Sequence, residues 1–279
     1  MSDTVFHLRH CQKCGLNFLA DPPADLSAYY TSDYHHVPKD RAELEQYLPM
    51  QRFRIELLRQ FCSSGKLMEI GPSMGQFCAS AKDAGFTVHA IEMDAACVSF
   101  LREKLDITAY WSDDPTAVLR ELTVRFDAFC FWHSLEHLPK FWEVLFWARA
   151  RLAPGGVILI AAPNPHAFQA RIMGARWPHH DLPRHLFGIS MPWLKAWAAD
   201  NDMEVAFATT RDPGSIDGNR FSWAMKFQSL APRNARAQRL FWRLGTLFGR
   251  LWKPLEDREG QGACYTLILR APSQATSTS

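Results

Sequence analysis

Apolar residues recur at helical spacing at Phe53, Leu57, Leu58 and Phe61, and the run closes at Ser63-Ser64-Gly65. A short apolar stretch follows over 67–70, then the turn Gly71-Pro72-Ser73-Met74-Gly75, then a helical pattern over 76–84 closed by Gly85. The same alternation repeats. Residues 86–91 read as a second strand, Asp94 as the N-cap of a helix over 95–104, and 107–110 as a third strand. Residues 126–132 form the next buried strand. The helix after it carries Phe141, Leu145, Ala148 and Leu152 on one face and stops at Pro154-Gly155-Gly156, and 157–162 is a fifth strand. Strands separated by helices pair in parallel, because a tight turn cannot join strands that run the same way. The pattern predicts a doubly wound α/β sheet with its ligand site at the carboxyl ends of the strands.

The two ends of the chain depart from this rhythm. Residues 1–49 read as an irregular N-terminal extension with Cys11-Gln12-Lys13-Cys14-Gly15, the turn formers Asp21-Pro22-Pro23, and Tyr29, Tyr30 and Tyr34. The main domain is expected over 50–270. After Pro163-Asn164 the sequence is irregular and rich in histidine until Met191, where Trp193, Leu194 and Trp197 predict another helix. Late strands are expected over 203–208 and 263–269, with one late strand antiparallel to the rest, and a helical insertion is expected over 212–260. The polar residues 271–279 read as a disordered tail.

Composition narrows the function classes. With 279 residues, 47% of them apolar and 22% charged, the chain is sized for one α/β domain with elaborations. A net charge of +2 gives no global reason to expect nucleic acid. Seven scattered cysteines and an opening without an apolar leader point to a reducing compartment, the cytoplasm, and no apolar run approaches the roughly 20 residues that span a bilayer. One basic segment stands out. Residues 231–253 carry Arg233, Arg236, Arg239, Arg243 and Arg250 with no acid, interleaved with Leu240, Phe241, Trp242, Leu247, Phe248, Leu251 and Trp252. Two readings fit: a helix lying peripherally on the anionic inner face of a membrane, or a lid over an acceptor pocket.

Candidate chemistry begins at Glu69-Ile70-Gly71-Pro72-Ser73-Met74-Gly75, in the first strand-to-helix turn, where glycines let a ligand approach the backbone. Glu92 ends the second strand about 20 residues on, where a carboxylate can take both hydroxyls of an adenosine ribose. Ser73 stands where a dinucleotide turn has its middle glycine, and no Gly-Lys-Ser/Thr follows, so phosphate-bearing cofactors are disfavoured.

With Ser112-Asp113-Asp114, Phe126-Asp127, His133-Ser134-Leu135-Glu136-His137-Leu138, Leu152 to Gly156 and Pro163-Asn164 in order, residues 65–210 resemble the class I S-adenosylmethionine (SAM)-dependent methyltransferases. The branch most similar holds ubiquinone-type O-methyltransferases and methyltransferases of bacterial surface-sugar pathways. The resemblance implies a Rossmann-like fold, SAM as cofactor, and cofactor contacts from Glu69, Gly71, Pro72, Ser73, Gly75, Gln76, Glu92, Met93, Asp113, Trp132 and His133. It implies a small-molecule, sugar, lipid-linked or quinone-like acceptor. A hydroxyl acceptor must lose its proton, and histidine titrates near neutrality, so His133, His137 and His185 are the candidate bases. Surface-sugar relatives often begin with a zinc ribbon, of which Cys11-x-x-Cys14 is one half. Four ligands are needed for a closed site, so a degenerate remnant is expected. Glu136-His137 accompanies a metal in ubiquinone-type relatives, or supports its loop; His179-His180-Asp181, flanked by Pro178 and Pro183, reads as a stiff acceptor-side loop, and no metal is assigned. An alternative, motivated by Ser73, is a non-catalytic member that binds a partner or a membrane surface; an NAD-dependent oxidoreductase is weaker still.

Overall fold

A computed structural model describes residues 4–30 and 36–273; Tyr34 and residues 274–279 of the expected tail lie outside the described residues. The stretch expected to be irregular opens with two short antiparallel strands, β1 (Leu8–His10) and β2 (Asn17–Leu19), Leu8 opposite Leu19. A short helix, α1 (Arg41–Glu45), follows, and the Asp40 side chain accepts the Glu43 N–H as its N-cap. Helix α2 (Arg52–Arg59) then leads into the predicted alternation: β3 (Gly65–Ile70), α3 (Gln76–Asp83), β4 (Phe86–Glu92), α4 (Ala95–Glu103), β5 (Thr108–Trp111), α5 (Pro115–Glu121), β6 (Phe126–Trp132), α6 (Phe141–Ala150) and β7 (Leu152–Pro163). Asp94 caps α4 through the Cys97 N–H, as its position before the apolar run predicts. The remainder is α7 (Phe168–Met173), β8 (Phe187–Gly188), α8 (Met191–Asp200), β9 (Glu204–Thr209), α9 (Pro213–Gln228), α10 (Ala235–Glu256) and β10 (Cys264–Arg270).

The main sheet has seven strands in the order β5-β4-β3-β6-β7-β10-β9, mostly parallel with one antiparallel strand, which is a Rossmann-like arrangement. Central strands are covered on both faces, so they read as unbroken apolar runs: Leu67, Met68 and Ile70 in β3, and Phe129, Cys130 and Phe131 in β6, are buried. β3 pairs in parallel with both β4 and β6, Glu69 opposite Ala90 and Cys130. Two elements differ from expectation. Helix α5 escaped the pattern because it spans seven residues, although Asp114 caps it and Pro115 occupies its first turn. Strand β7 starts ahead of the Pro154-Gly155-Gly156 turn, because the Gly155 N–H donates to the Pro272 carbonyl and the Ala271 N–H to the Gly156 carbonyl.

The chain divides into two compact units. One comprises Asp25–Ile160, Ala198–Ala206 and the chain from Ile268 on, and holds β3 to β6 with their helices. The other comprises the residues up to Ala24, Ala161–Trp197 and Phe207–Leu267. In that second unit β8 pairs with β2, Phe187 opposite Phe18, completing a three-stranded sheet. Over 212–260, where the sequence reads as a helical insertion, stand α9 and α10, packed as a hairpin. A Cβ on Gly245 would stand 2.4 Å from the Trp223 carbonyl oxygen, and one on Gly249 2.9 Å from the Trp223 ring, so only glycine permits this approach. Trp223 packs with Ala167, Met173 and Trp177 in one apolar cluster. Its indole N–H donates to buried Glu256 at 2.7 Å, as does the Gln169 amide at 2.6 Å, and burial pushes the Glu256 carboxyl up. All seven cysteines are free thiols. No helix among the described residues is long and apolar enough to cross a membrane.

Candidate functional site

A cavity of about 520 Å³ opens at the carboxyl ends of β3, β4 and β6. Its floor is the turn after β3. Gly71 adopts φ +71°, and a Cβ there would meet the Ser134 side chain at 2.8 Å; Gly75, at φ +78°, caps α3 against Leu101. Ser73 sits between them at φ +53°. Positive φ is therefore required where the turn lacks its middle glycine, and an L-residue there costs roughly 1 kcal/mol. Ser73→Gly should raise stability by about that amount, a rise of about 2 °C or more in thermal melting. An unchanged or lower melting temperature would show that the turn stores no strain at Ser73.

Glu92 closes β4 as a buried carboxylate. Its Oε2 accepts the Ser73 N–H at 2.8 Å, and its Oε1 accepts those of Met93 at 2.8 Å and Asp94 at 3.0 Å. One side chain thereby ties the tip of β4 to the turn after β3. Glu69, one residue before the end of β3, is also buried and receives the Cys78 S–H at 2.8 Å. Burial pushes its carboxyl up to about 7; the bond from Cys78 and the charge of Arg54 oppose the rise, and the charge of Glu92 adds to it.

At the tip of β6 the Trp132 ring meets Phe77 edge-on with centroids 5.3 Å apart, and the Arg54 guanidinium lies 4.4 Å over it. The buried Trp132 Nε1 and Ser134 Oγ have no hydrogen-bond partner among the described residues. His133 follows at φ +54°, its Nδ1 3.7 Å from Oε1 of buried Glu136. The Tyr30 hydroxyl lies 2.9 Å from His137 Nδ1.

Of the residues expected at a cofactor, Glu69, Gly71, Pro72, Ser73, Gln76, Glu92, Met93, Asp113, Trp132 and His133 line this cavity, and so does His137. Gly75 instead caps the helix behind the turn. His185 belongs to the second unit, where its Nδ1 lies 2.9 Å from the His179 carbonyl oxygen. That carbonyl can only accept, so Nδ1 carries the proton. His179, His180 and His185 line a cavity of about 20 Å³ with Trp177, and burial lowers the pKa of His180. Cys11 and Cys14 flank the turn between β1 and β2, and hydrogen bonding from Cys14 lowers the pKa of the Cys11 thiol.

Sequence reasoning missed Tyr30, Gln51 and Arg54, which also line the large cavity. Gln51 joins the last two walls: its amide donates to Gln76 Oε1 at 2.9 Å, and its Oε1 accepts from Arg54 at 3.0 Å. A signal for Arg54 was present. It stands three, four and seven residues before Leu57, Leu58 and Phe61, which puts a cation on the apolar face of α2. Gln51 and Tyr30 carried no such mark.

A family profile described as methyltransferase domain matches residues 42–206, more than half of the chain. The chain belongs to the methyltransferase domain family. Among solved structures it is similar to a SAM-dependent methyltransferase from Archaeoglobus fulgidus, with 18% identity, a TM-score of 0.51, and 81% of this chain and 99% of that one covered. It is also similar to the [4+2]-cyclase SpnF, at 16% identity and TM-score 0.51 over 80% of this chain and 81% of that one. Coclaurine N-methyltransferase, in a structure with N-methylheliamine and S-adenosylhomocysteine (SAH), shares 12% identity at TM-score 0.50, covering 90% of this chain and 83% of that one. At such identities the likeness is one of fold. No match was found among curated proteins.

Proposed function

We propose that this methyltransferase-family protein uses SAM and transfers its methyl group to an oxygen of a small-molecule, sugar, lipid-linked or quinone-like acceptor. The observation that carries the reading is the pair of buried carboxylates, Glu69 and Glu92, at neighbouring strand tips of one cavity. The residues present fit the cofactor. The cavity falls in the range of about 300–1,000 Å³ usual for such sites. Two buried polar atoms, Trp132 Nε1 and Ser134 Oγ, lie in its wall with no protein partner among the described residues. When bound, SAM supplies a methyl on a positive sulfonium that leaves by in-line displacement.

The chain's own groups then have distinct tasks. Glu92, already fixed by three backbone N–H groups, presents its remaining lone pair, on Oε2, to a ribose hydroxyl. Asp113 borders the adenine end, and Glu69 offers negative charge to the cationic end. His137, oriented by the Tyr30 hydroxyl, takes the acceptor proton. Holding the acceptor in line supplies the rest of the rate, since positioning alone is worth up to about 7–11 kcal/mol. Labelled SAM supplied with extract of the source cell should yield an O-methylated product. An N- or C-methylated product would overturn the oxygen assignment, and SAH binding without any transfer would favour a non-catalytic role.

The raised Glu69 carboxyl makes a pH prediction. Between about 4.5 and 7 the folded protein holds a proton that the unfolded chain has released. Unfolding then releases protons, so the stabilising protonation is complete at the acid end and is lost as pH rises to about 7, a fall of about 3 kcal/mol without cofactor. The cationic cofactor favours the ionised form, so SAM affinity should run the other way, about tenfold weaker at pH 6 than at pH 8. Titration calorimetry at both values checks this, and Glu69→Gln should flatten the difference; an equal slope in the variant would remove Glu69 from the cofactor site.

A further inference from the structure

Helix α10 presents a face that its own unit leaves open. Leu240, Leu244, Leu247 and Leu251 are 54%, 42%, 57% and 74% exposed. Their spacing of four, three and four residues gathers them within about 60° of arc on an α-helix. Gly245 and Gly249, which press against Trp223 of α9, lie on the opposite side, so the leucine row points away from the packed face. Phe221 and Leu230 of the neighbouring hairpin arm are exposed as well. A continuous apolar row of this length marks a contact surface.

The charges beside the row decide what it contacts. Arg236, Arg239, Arg243 and Arg250 are exposed along one flank, with no acidic partner among the described residues, and no Asp or Glu occurs over 231–253. A second copy of the helix would bring the same arginines up to the row with no carboxylate to pair them, which opposes self-association. An anionic bilayer answers both features: leucines enter the acyl boundary while guanidinium groups stay at the level of the phosphates. We propose that α10 docks this protein peripherally on anionic lipid membranes, with Leu240, Leu244, Leu247 and Leu251 inserted and the arginine flank on the headgroups. Docking of this kind requires nothing of the cofactor cavity, so it stands or falls independently of the methyl-transfer reading.

The test uses the full chain in a flotation assay, with vesicles of phosphatidylcholine alone and of phosphatidylcholine mixed with phosphatidylglycerol. The protein should float with the mixed vesicles at low salt, stay behind with the neutral ones, and detach as salt rises. Leu247→Ser with Leu251→Ser, and separately Arg239→Glu with Arg243→Glu, should each cut the bound fraction about tenfold or more. All four positions are exposed, so thermal melts of both variants should match the parent. Absence of flotation with anionic vesicles at low salt overturns the proposal. So does equal flotation of parent and variants, or a concentration-dependent dimer in sedimentation that the leucine variant abolishes while lipid binding stays nil.

Discussion

Glu92→Ala should weaken binding of SAH by at least about tenfold, because the hydrogen bond from a ribose hydroxyl to the one lone pair the backbone leaves open is lost, at roughly 1.5–3 kcal/mol. The residue acts twice. Its two oxygens hold the N–H groups of Ser73, Met93 and Asp94, which keeps the turn after β3 open beside the tip of β4. The same carboxylate is proposed to take the ribose. Removing it strands three backbone donors, so the folded protein should also lose about 1–3 kcal/mol. Glu92→Gln separates the two tasks: its single amide oxygen can still accept from one side of the turn, so stability should recover in part while cofactor affinity stays low. Calorimetric titration with SAH, alongside thermal melts, reads both quantities. Affinity in the alanine variant equal to that of the parent would end the reading of this cavity as the SAM site.

His137→Ala should lower kcat by about 100- to 10,000-fold, the usual worth of a positioned general base, while SAH affinity changes little. The imidazole lines the cavity, and the Tyr30 hydroxyl at 2.9 Å holds its ring in one orientation. Tyr30→Phe keeps the base and removes only the restraint, so a loss of about three- to tenfold is expected, in line with one neutral hydrogen bond. In the pH profile of kcat, taken at saturating SAM so that cofactor binding does not enter, the limb that rises from acid should vanish in His137→Ala and survive in Tyr30→Phe. His133 shares the cavity wall and lies near Glu136, so His133→Ala is the companion variant. If it alone removes the acid limb, the proton goes to His133.

Buried parallel strands are continuous apolar runs, which is why β3, β4, β6 and β7 could be found from hydrophobicity alone, while amphipathic periodicity found α2 and α6 and the Asp94 cap marked α4. A carboxylate at the end of such a run, Glu69 or Glu92, is conspicuous because the surrounding residues are apolar. Short or locally coded elements were less visible. Helix α5 has two turns at most, too few for its period to rise above the background. Strand β8 has two residues, and it exists because β2, far away in the sequence, offers it hydrogen-bonding edges.

The backbone state of Ser73 also lay beyond the residue letters. Serine is compatible with either sign of φ at different cost, and the sign was decided by the need to bring the turn's N–H to Glu92. Tyr30 and Gln51 joined the cavity for a similar reason: a wall is assembled from segments distant along the chain, and nothing local records which segments meet.

By itself, then, the sequence determined the strand–helix alternation, the carboxylates at the tips of β3 and β4, and the basic, leucine-bearing character of α10, since each follows from local periodicity or residue type. Tertiary structure alone decided that His137 meets Tyr30 in the cavity wall and that the leucines of α10 face outward. A helix of regular period offers several faces for burial. The close approach of Gly245 and Gly249 to Trp223 selects one of them, and that selection depends on contacts between residues that the order of the chain does not specify.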